Sequence, residues 1–558
     1  MDPHIATLAF YGVTAAAAAT AVVKAKKRLD LSRAKHASLT GHVRWSKRIA
    51  SAIRFYEFDE AEFFACDGAP ADVAALRRAG FERLAADYAA RFVKSAALKA
   101  EAKAIVSDMQ FTDAYRVPFP FSRVVRERLG SGVFLAESHG VELTDVDDNR
   151  YYDVAGSYGV NVLGYDFYKQ SIAKGAAEVQ ALGPVLGAYH PALVYNVRRL
   201  KEISGLDEVS FHMSGTEAVM QAVRLARYHT GRKKIVRFSG AYHGWSGEVQ
   251  PGIGNPVTER GTFTLAEMSE ATLRVLERRR DIACVLVNPV QALHPNGGPP
   301  SDGSLADGQR SAGFDREAYT EWLKRLREVC TRRGIVFILD DVFMGFRLAA
   351  GGSQEYFGIK ADMVTYGKTL GGGLPVGVVC GRADLMKRYR DDRPGNVCLA
   401  RGTFNSHPYV MGAMKAFLEH METPAGRTIY DRLDETWLAR AATLNARLEQ
   451  AGVPVAIAPM STVWIVTYGL PSRYGWMFQY YLRKHGLALS WIGTGRLIFS
   501  LNYTAADFDA VAERFTAAAA EMAADGWWWQ PPAGTERPPL KRQMLREMLR
   551  RGFLGRRD

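Results

Sequence analysis

Short apolar runs recur between about residues 190 and 420, and each is followed by a stretch of helical periodicity. "EVSFHM", "KKIVRF", "IACVLV", "GIVFILD" and "DMVTYG" are the candidate strands. Such alternation predicts a mostly parallel sheet covered by helices. Upstream, residues 41 to about 110 carry apolar positions three and four apart, as in "DVAALRRAGFERLAADYAARF", and predict helices broken at "CDGAP". From about Val117 the texture changes: "VFLAESHGVELTDVDDNRYYDV" reads as short strands turning at Ser138-His139-Gly140 and Asp147-Asp148-Asn149. No fixed-period repeat is apparent.

Both ends of the chain stand apart from this pattern. Ile5 to Val23 is uncharged, and Lys24, Lys26, Lys27 and Arg28 follow at once. About 19 residues at a rise of ~1.5 Å match a hydrocarbon core of ~30 Å. The run is Ala-rich and mildly apolar, so it reads as a membrane anchor or as a helix docked on the body. A cleaved signal peptide fits less well, because the positive charge comes after the apolar run. An anchor in this orientation would leave the bulk of the chain on the cytoplasmic face of the membrane. At the other end, Trp527, Trp528 and Trp529 precede a Pro-rich hinge, after which Leu540, Met544, Leu545, Met548, Leu549 and Phe553 repeat at helical spacing among arginines. This is either an interfacial helix or a helix packed on the protein.

With 558 residues the chain exceeds a single core. Its formal charge of +13 is concentrated in Lys24–Arg54 and Arg537–Arg557. Basicity at the ends and balance in the middle imply a partner for the termini and no nucleic-acid site. Cys66, Cys284, Cys330, Cys380 and Cys398 are scattered, with no C-x-x-C pair and no metal site indicated.

Chemistry enters at the ends of the candidate strands, where an open α/β sheet binds its ligands. "TYGKTLGGGLPVG" offers a lysine among glycines, but Asp362 occupies the position where a nucleoside-triphosphate loop needs its first glycine. Lys368 is therefore a candidate covalent nucleophile toward a carbonyl. "MSGTEA" places Ser214, Gly215 and Thr216 at a helix N-terminus, which is either a phosphate cup or an ordinary cap. Tyr242 and His243 in "GAYHGW" could stack on a planar ring or simply pack. Asp340 in "FILDDVFMGFR" follows an apolar strand, where its carboxylate could keep a ring nitrogen protonated or cap the next helix. Taken in order, these are a phosphate cup, an aromatic platform, a carboxylate for a pyridinium nitrogen and a lysine for an aldehyde. That set is what pyridoxal 5'-phosphate requires.

From about Gly140 to Leu418 the chain resembles the class III pyridoxal-phosphate aminotransferases, glutamate-1-semialdehyde aminomutase in particular. The similar stretches include "DVDDNRYYDVAGSYGVNVLG", "MSGTEAVMQAVRLAR", "GAYHGW", "LDDVFMGFR", "GGSQEYFGIKADMVTYGKTLGGGLPVGVVCG" and "GTFNSHPYVMGA". The resemblance implies an α/β fold of type I: a large domain with a mostly parallel seven-stranded sheet, a small α+β domain and, here, an N-terminal helical extension. The expected divisions are 1–40 (anchor and basic flank), 41–115 (helical extension), 116–185 (first part of the small domain), 186–425 (large domain), 426–530 (rest of the small domain) and 531–558 (basic tail). It further implies a homodimer with shared active sites. Lys368 becomes the Schiff-base lysine and Asp340 the partner of the pyridine nitrogen. Ser214, Gly215 and Thr216 contact phosphate, Tyr242 and His243 lie at the ring, and Thr403 reaches the neighbouring subunit's phosphate. Arg123, placed by counting back without gaps from "LTDVDDNRY", is expected at the substrate, as are Ser157 and Tyr158.

Asn288 and Asp341 stand where relatives usually show glutamate, and Ser406-His407-Pro408 replaces Gly-Asn-Pro. These departures point away from glutamate semialdehyde as the substrate. The expected activity is transfer of an amino group between an amino donor and a carbonyl acceptor, with a lipid-like carbonyl suggested by the termini. An intramolecular aminomutase and a non-catalytic scaffold at a membrane are the alternatives.

Overall fold

The computed structural model describes residues 3–130, 134–257, 259–297, 312–490, 495–532, 534–535 and 538–553. Its centre is a seven-stranded sheet of β4 (Glu208–His212), β5 (Lys234–Phe238), β6 (Thr262–Leu265), β7 (Ile282–Val287), β8 (Val336–Asp340), β9 (Met363–Gly367) and β10 (Gly377–Gly381), in the order β4-β10-β9-β8-β7-β5-β6. The five strands β9-β8-β7-β5-β6 pair in parallel, whereas β10 runs antiparallel to both its neighbours. Side chains of β7, β8 and β9 are buried throughout, as expected for strands covered on both faces.

The register fixes the site. Gly377 stands opposite both His212 and Gly367, and Asp340 opposite Thr365. Residues that follow β4, β8 and β9 therefore emerge at one sheet edge. A Cβ on Gly377 would lie 1.9 Å from the Ser214 carbonyl oxygen, so only glycine lets the two strand ends approach this closely.

The N-terminal helices are α1 (Pro3–Arg33), α2 (Val43–Ala52), α3 (Glu60–Ala65), α4 (Ala71–Arg91), α5 (Val93–Ile105), α6 (Ser107–Tyr115) and α7 (Ser122–Arg128). They lead into β1 (Leu135–His139), β2 (Glu142–Asp145) and β3 (Arg150–Asp153), which form a second sheet completed by Leu487–Ala488. Phe63, Phe64, Phe81 and Tyr88 from the helical extension share one aromatic core with Phe121, Tyr474, Trp476 and Trp527.

Parts of both ends dock on the body of the protein. Among the described residues no helix is long and apolar enough to cross a membrane. The C-terminal end of α1 docks on the body: Arg278 pairs with Asp30 at 2.8 Å, and the Ala266 N–H donates to the Ala34 carbonyl at 2.7 Å. Trp527 and Trp528 are core residues, and the Trp527 indole donates to the Tyr481 hydroxyl at 2.8 Å. The helix Leu540–Phe553 is held to the body through Glu547, which pairs with Arg473 at 3.0 Å and accepts from the Tyr56 hydroxyl at 2.6 Å. Met1, Asp2, Arg537, Arg556, Arg557 and the side chains of Ile5–Phe10 and Phe553 lie outside the described residues.

Candidate active site

The converging strand ends line a cavity of about 500 Å³. On one side, after α8 (Tyr165–Val179) and α9 (Ala192–Ser204), is the N-terminus of α10 (Gly215–Thr230). Ser214 is its cap: the hydroxyl accepts the Glu217 N–H at 3.3 Å, while Glu217 Oε2 accepts the Met213 N–H at 3.0 Å. First-turn N–H groups at Gly215 and Thr216 have no carbonyl four residues back to bond, and they face the cavity with the positive end of the helix dipole.

Asp340 lies on the floor, 4% exposed. His243 Nδ1 donates to its Oδ2 at 2.7 Å and the Thr365 hydroxyl to its Oδ1 at 3.0 Å, which fixes the carboxylate plane. Neighbouring Asp341 turns away, accepting from the Ser353 N–H at 2.8 Å, and burial raises its pKa to about 6. Tyr242 lines the cavity with about half its surface exposed, and its carbonyl accepts the Asn288 side-chain N–H at 2.6 Å.

Lys368 follows β9 in a left-handed conformation, φ +50°. Its Nζ lies 5.1 Å from the centre of the Phe343 ring, against which Arg496 and Arg347 also rest at 5.7 and 5.9 Å. Burial lowers the lysine pKa to about 8; the Asp340 charge opposes this, and Arg347 and Arg496 add to it. The amine is thereby held close to its neutral, nucleophilic form.

Arg496, from the strand Arg496–Ile498, escaped sequence reasoning. A lone arginine at the start of a three-residue strand carries no local signal, and only the fold brings it to the cavity, where Nη2 meets His294 Nε2 at 3.0 Å. Gln291 and Phe343 were likewise not anticipated.

Of the expected residues, Ser214, Gly215, Thr216, Tyr242, His243, Asp340 and Lys368 come together here. Thr403 does not line this cavity; it is exposed in the turn before the helix Pro408–Glu422. Ser157 and Tyr158 line a different cavity. Arg123 is also elsewhere, paired with Glu57 at 3.2 Å and Glu127 at 3.5 Å on the surface of α7. A count without gaps from "LTDVDDNRY" could not foresee that α7 turns this side chain toward the helical extension.

The cavity fits pyridoxal phosphate on its own features. It supplies an anion site at a helix end, an oriented buried carboxylate and a lysine of lowered pKa. Two buried lining atoms, His243 Nε2 and Gln291 Oε1, have no hydrogen-bond partner among the described residues, as expected where a polar ligand supplies the missing partners. Fold and site together define a fold-type I pyridoxal-phosphate enzyme.

Comparison with known proteins narrows this. The family model for aminotransferase class-III matches residues 125–518, and the chain belongs to that family. It is 31% identical to a glutamate-1-semialdehyde 2,1-aminomutase of Geotalea daltonii over 362 residues, 62% of this chain and 78% of the relative. It is 33% identical to the enzyme of that name from Methanocaldococcus jannaschii over 347 residues, 59% and 73% of the two chains. A solved structure described as a transaminase with PLP bound superposes with a TM-score of 0.62 at 26% identity, covering 78% of this chain and 98% of its own. The protein is thus a pyridoxal-phosphate enzyme of the aminotransferase/aminomutase type.

Proposed function

We propose that Lys368 is the covalent and proton-transferring residue of an aminotransferase whose substrates carry a carboxylate near the reacting carbon. The observation that carries this reading is the convergence of Lys368, Asp340, the α10 N-terminus and Arg496 on one cavity. When bound, the cofactor supplies the aldehyde that takes up the amino group and a ring that delocalises charge from the substrate carbon. Gly215 and Thr216 N–H groups would bind its phosphate. Asp340, oriented by His243 and Thr365, would hold a proton on the ring nitrogen. Tyr242 would cover one ring face. Lys368 Nζ, neutral and close to the reacting carbon, would remove and return the proton. Arg496 would fix the substrate carboxylate by charge-assisted hydrogen bonds. Asn288, in contact with the Tyr242 carbonyl, would hold the ring cover in place.

Thr403 fits a role across a homodimer. It is exposed outside its own chain's cavity, and Leu399 and Phe404 close to it in sequence are 72% and 50% exposed, apolar surface suited to a second copy. Light scattering of the purified protein tests this: a dimer supports it, and a monomer with full activity overturns it.

An intramolecular aminomutase is the second reading, favoured by the names of the two curated relatives. The decisive experiment is the visible spectrum of purified protein beside Lys368→Ala, before and after a panel of amino donors, followed by turnover with and without a separate carbonyl acceptor. A cofactor band lost in Lys368→Ala and altered by a carboxylate-bearing donor supports the assignment. Turnover that needs no second acceptor moves it to the aminomutase. No band after loading with pyridoxal phosphate overturns both.

A further inference from the structure

A second cavity, of about 390 Å³, lies between helices α5 and α6 and the segment Ala488–Ser490. It shares no lining residue with the catalytic cavity: Ser157 and Tyr158 line this one and Val160 the other, so a few residues of chain separate the two. Part of its wall, including Met109, Thr112 and Arg116, precedes the family-matched region that begins at residue 125. The helical extension therefore creates a hollow of its own.

The charges around it are unevenly compensated. Both acids are occupied. Asp113 pairs with Lys99 at 2.7 Å and also with Lys103. Asp153 accepts from the Tyr165 hydroxyl at 2.7 Å and from the Ala155 and Gly156 N–H groups at 2.9 and 3.0 Å. The two arginines are not so served. Among the described residues neither Arg116 nor Arg483 forms an ion pair. Arg116 gives its Nε to the Gln479 side-chain oxygen at 3.0 Å. Arg483 is 7% exposed, its Nε has no hydrogen-bond partner among the described residues, and its Nη2 reaches only the Leu489 carbonyl, at 3.4 Å. Burial lowers the Arg483 pKa and the positive charge of Arg116 lowers it further, against smaller opposing contributions from Tyr88, Tyr151 and Asp145. Two like charges that feel each other inside a protein, with no ion pair to either, are costly unless an anion joins them.

We propose that this cavity binds a small organic anion with an apolar body. Its carboxylate or phosphate head lies between Arg116 and Arg483, and its hydrocarbon lies against Met109, Leu135, Leu143 and Leu489. A hydrocarbon wall closed by a few convergent polar groups is the usual make-up of a ligand site. The site is separate from the catalytic cavity and stands whichever amino-transfer reaction the protein performs.

Calorimetric titration of the pyridoxal-phosphate-loaded protein with decanoate, decyl phosphate and decanol tests it. At least one of the two anions binds, at one site per chain, and decanol binds weaker by about tenfold or more, the difference expected of hydrogen bonds to a charged group. The stronger of the two anions identifies the preferred head group. Arg483→Gln reduces anion affinity by a similar factor, and Arg496→Gln, in the other cavity, leaves it unchanged. Thr112→Trp fills the hollow from the helical extension and abolishes binding, which keeps the test decisive if Arg483→Gln fails to fold. Failure of both anions to bind overturns the proposal. So does equal binding of decanol, or loss of binding in Arg496→Gln with Thr112→Trp unaffected.

Discussion

Arg77, in the aromatic core beneath the N-terminal helices, brings its own counter-ion. It is fully buried, meets both Asp67 oxygens at 2.9 and 2.7 Å, bonds the Phe64 and Gly526 carbonyls at 2.7 and 2.9 Å, and lies 4.4 Å from the Tyr474 ring centre. Arg347, behind the catalytic cavity, is equally buried but forms no ion pair among the described residues. Its donors go to Thr462 at 2.9 Å and to the Asn161 carbonyl at 3.2 Å, and burial lowers its pKa to about 10. A buried arginine with a carboxylate is nearly neutral as a unit and acts as a fastener. One without a carboxylate leaves a positive field standing. Near Lys368 that field disfavours protonation of the amine; at Arg483 it leaves a place for an anion.

The comparison predicts that the two regions fail in different ways. Lys368→Ala should break chemistry and spare the fold. Turnover should fall by about 10³-fold or more, since both the covalent partner and the proton carrier are lost. Thermal unfolding should stay near the parent's, because the removed amine forms no ion pair among the described residues. A variant with measurable turnover and a cofactor band like the parent's would show that another residue does this work.

Arg77→Met should do the reverse. It strands the Asp67 carboxylate and two backbone carbonyls in the aromatic core, and breaking a buried pair in this way costs about 3–5 kcal/mol. Denaturant unfolding should show that loss, with turnover per folded molecule unchanged. If turnover falls while stability holds, the helical extension acts on the reaction and the division between the two regions is wrong.

Arg496→Gln sharpens the contrast at the substrate. A lost charged hydrogen bond of about 1.5–3 kcal/mol corresponds to a KM about 10–100 times higher for donors that carry a carboxylate. Amines lacking the carboxylate should be affected much less. Equal losses for both kinds of donor would place the substrate carboxylate elsewhere.

How much of this was legible in the sequence follows from how local each signal is. β7, β8 and β9 were readable because a strand buried on both faces is a continuous apolar run, and β4 and β5 through the shorter apolar stretches in "EVSFHM" and "KKIVRF". β6, four residues at the sheet edge, and β10, bounded by Gly377 and Gly381, lack such runs and were not singled out as strands. Lys368, Asp340 and the "SGT" cap were legible because each terminates a strand of the same sheet. Arg496 was not, since its position depends on a strand from the far end of the chain folding back over the sheet. Arg123 was placed by counting residues, and counting cannot determine which way a helix faces. The basic ends were visible as charge, but their docking through Asp30 and Glu547 rests on contacts more than two hundred residues away and, for Glu547, on Tyr56 and Arg473.

The smallest expected effect tests the electrostatics alone. In cofactor-free protein, Lys368 should react with an amine-directed reagent at a rate that rises with pH and reaches half its plateau near pH 8, where an ordinary lysine would need about 10.5. The sign follows from the neutral amine being the nucleophile: it is scarce below the pKa and predominant above it. Arg496→Gln removes a neighbouring cation, so the protonated form becomes easier to hold and the midpoint should move up. Asp340→Asn removes the one opposing charge, so the midpoint should move down. The same shift appears in stability. Between about pH 8 and 10.5 the unfolded chain keeps this proton and the folded chain does not, so stability should rise with pH across that window in the parent and rise less in Lys368→Met. A midpoint near 10.5 that neither substitution moves would mean that the cations around Phe343 do not set the state of the lysine.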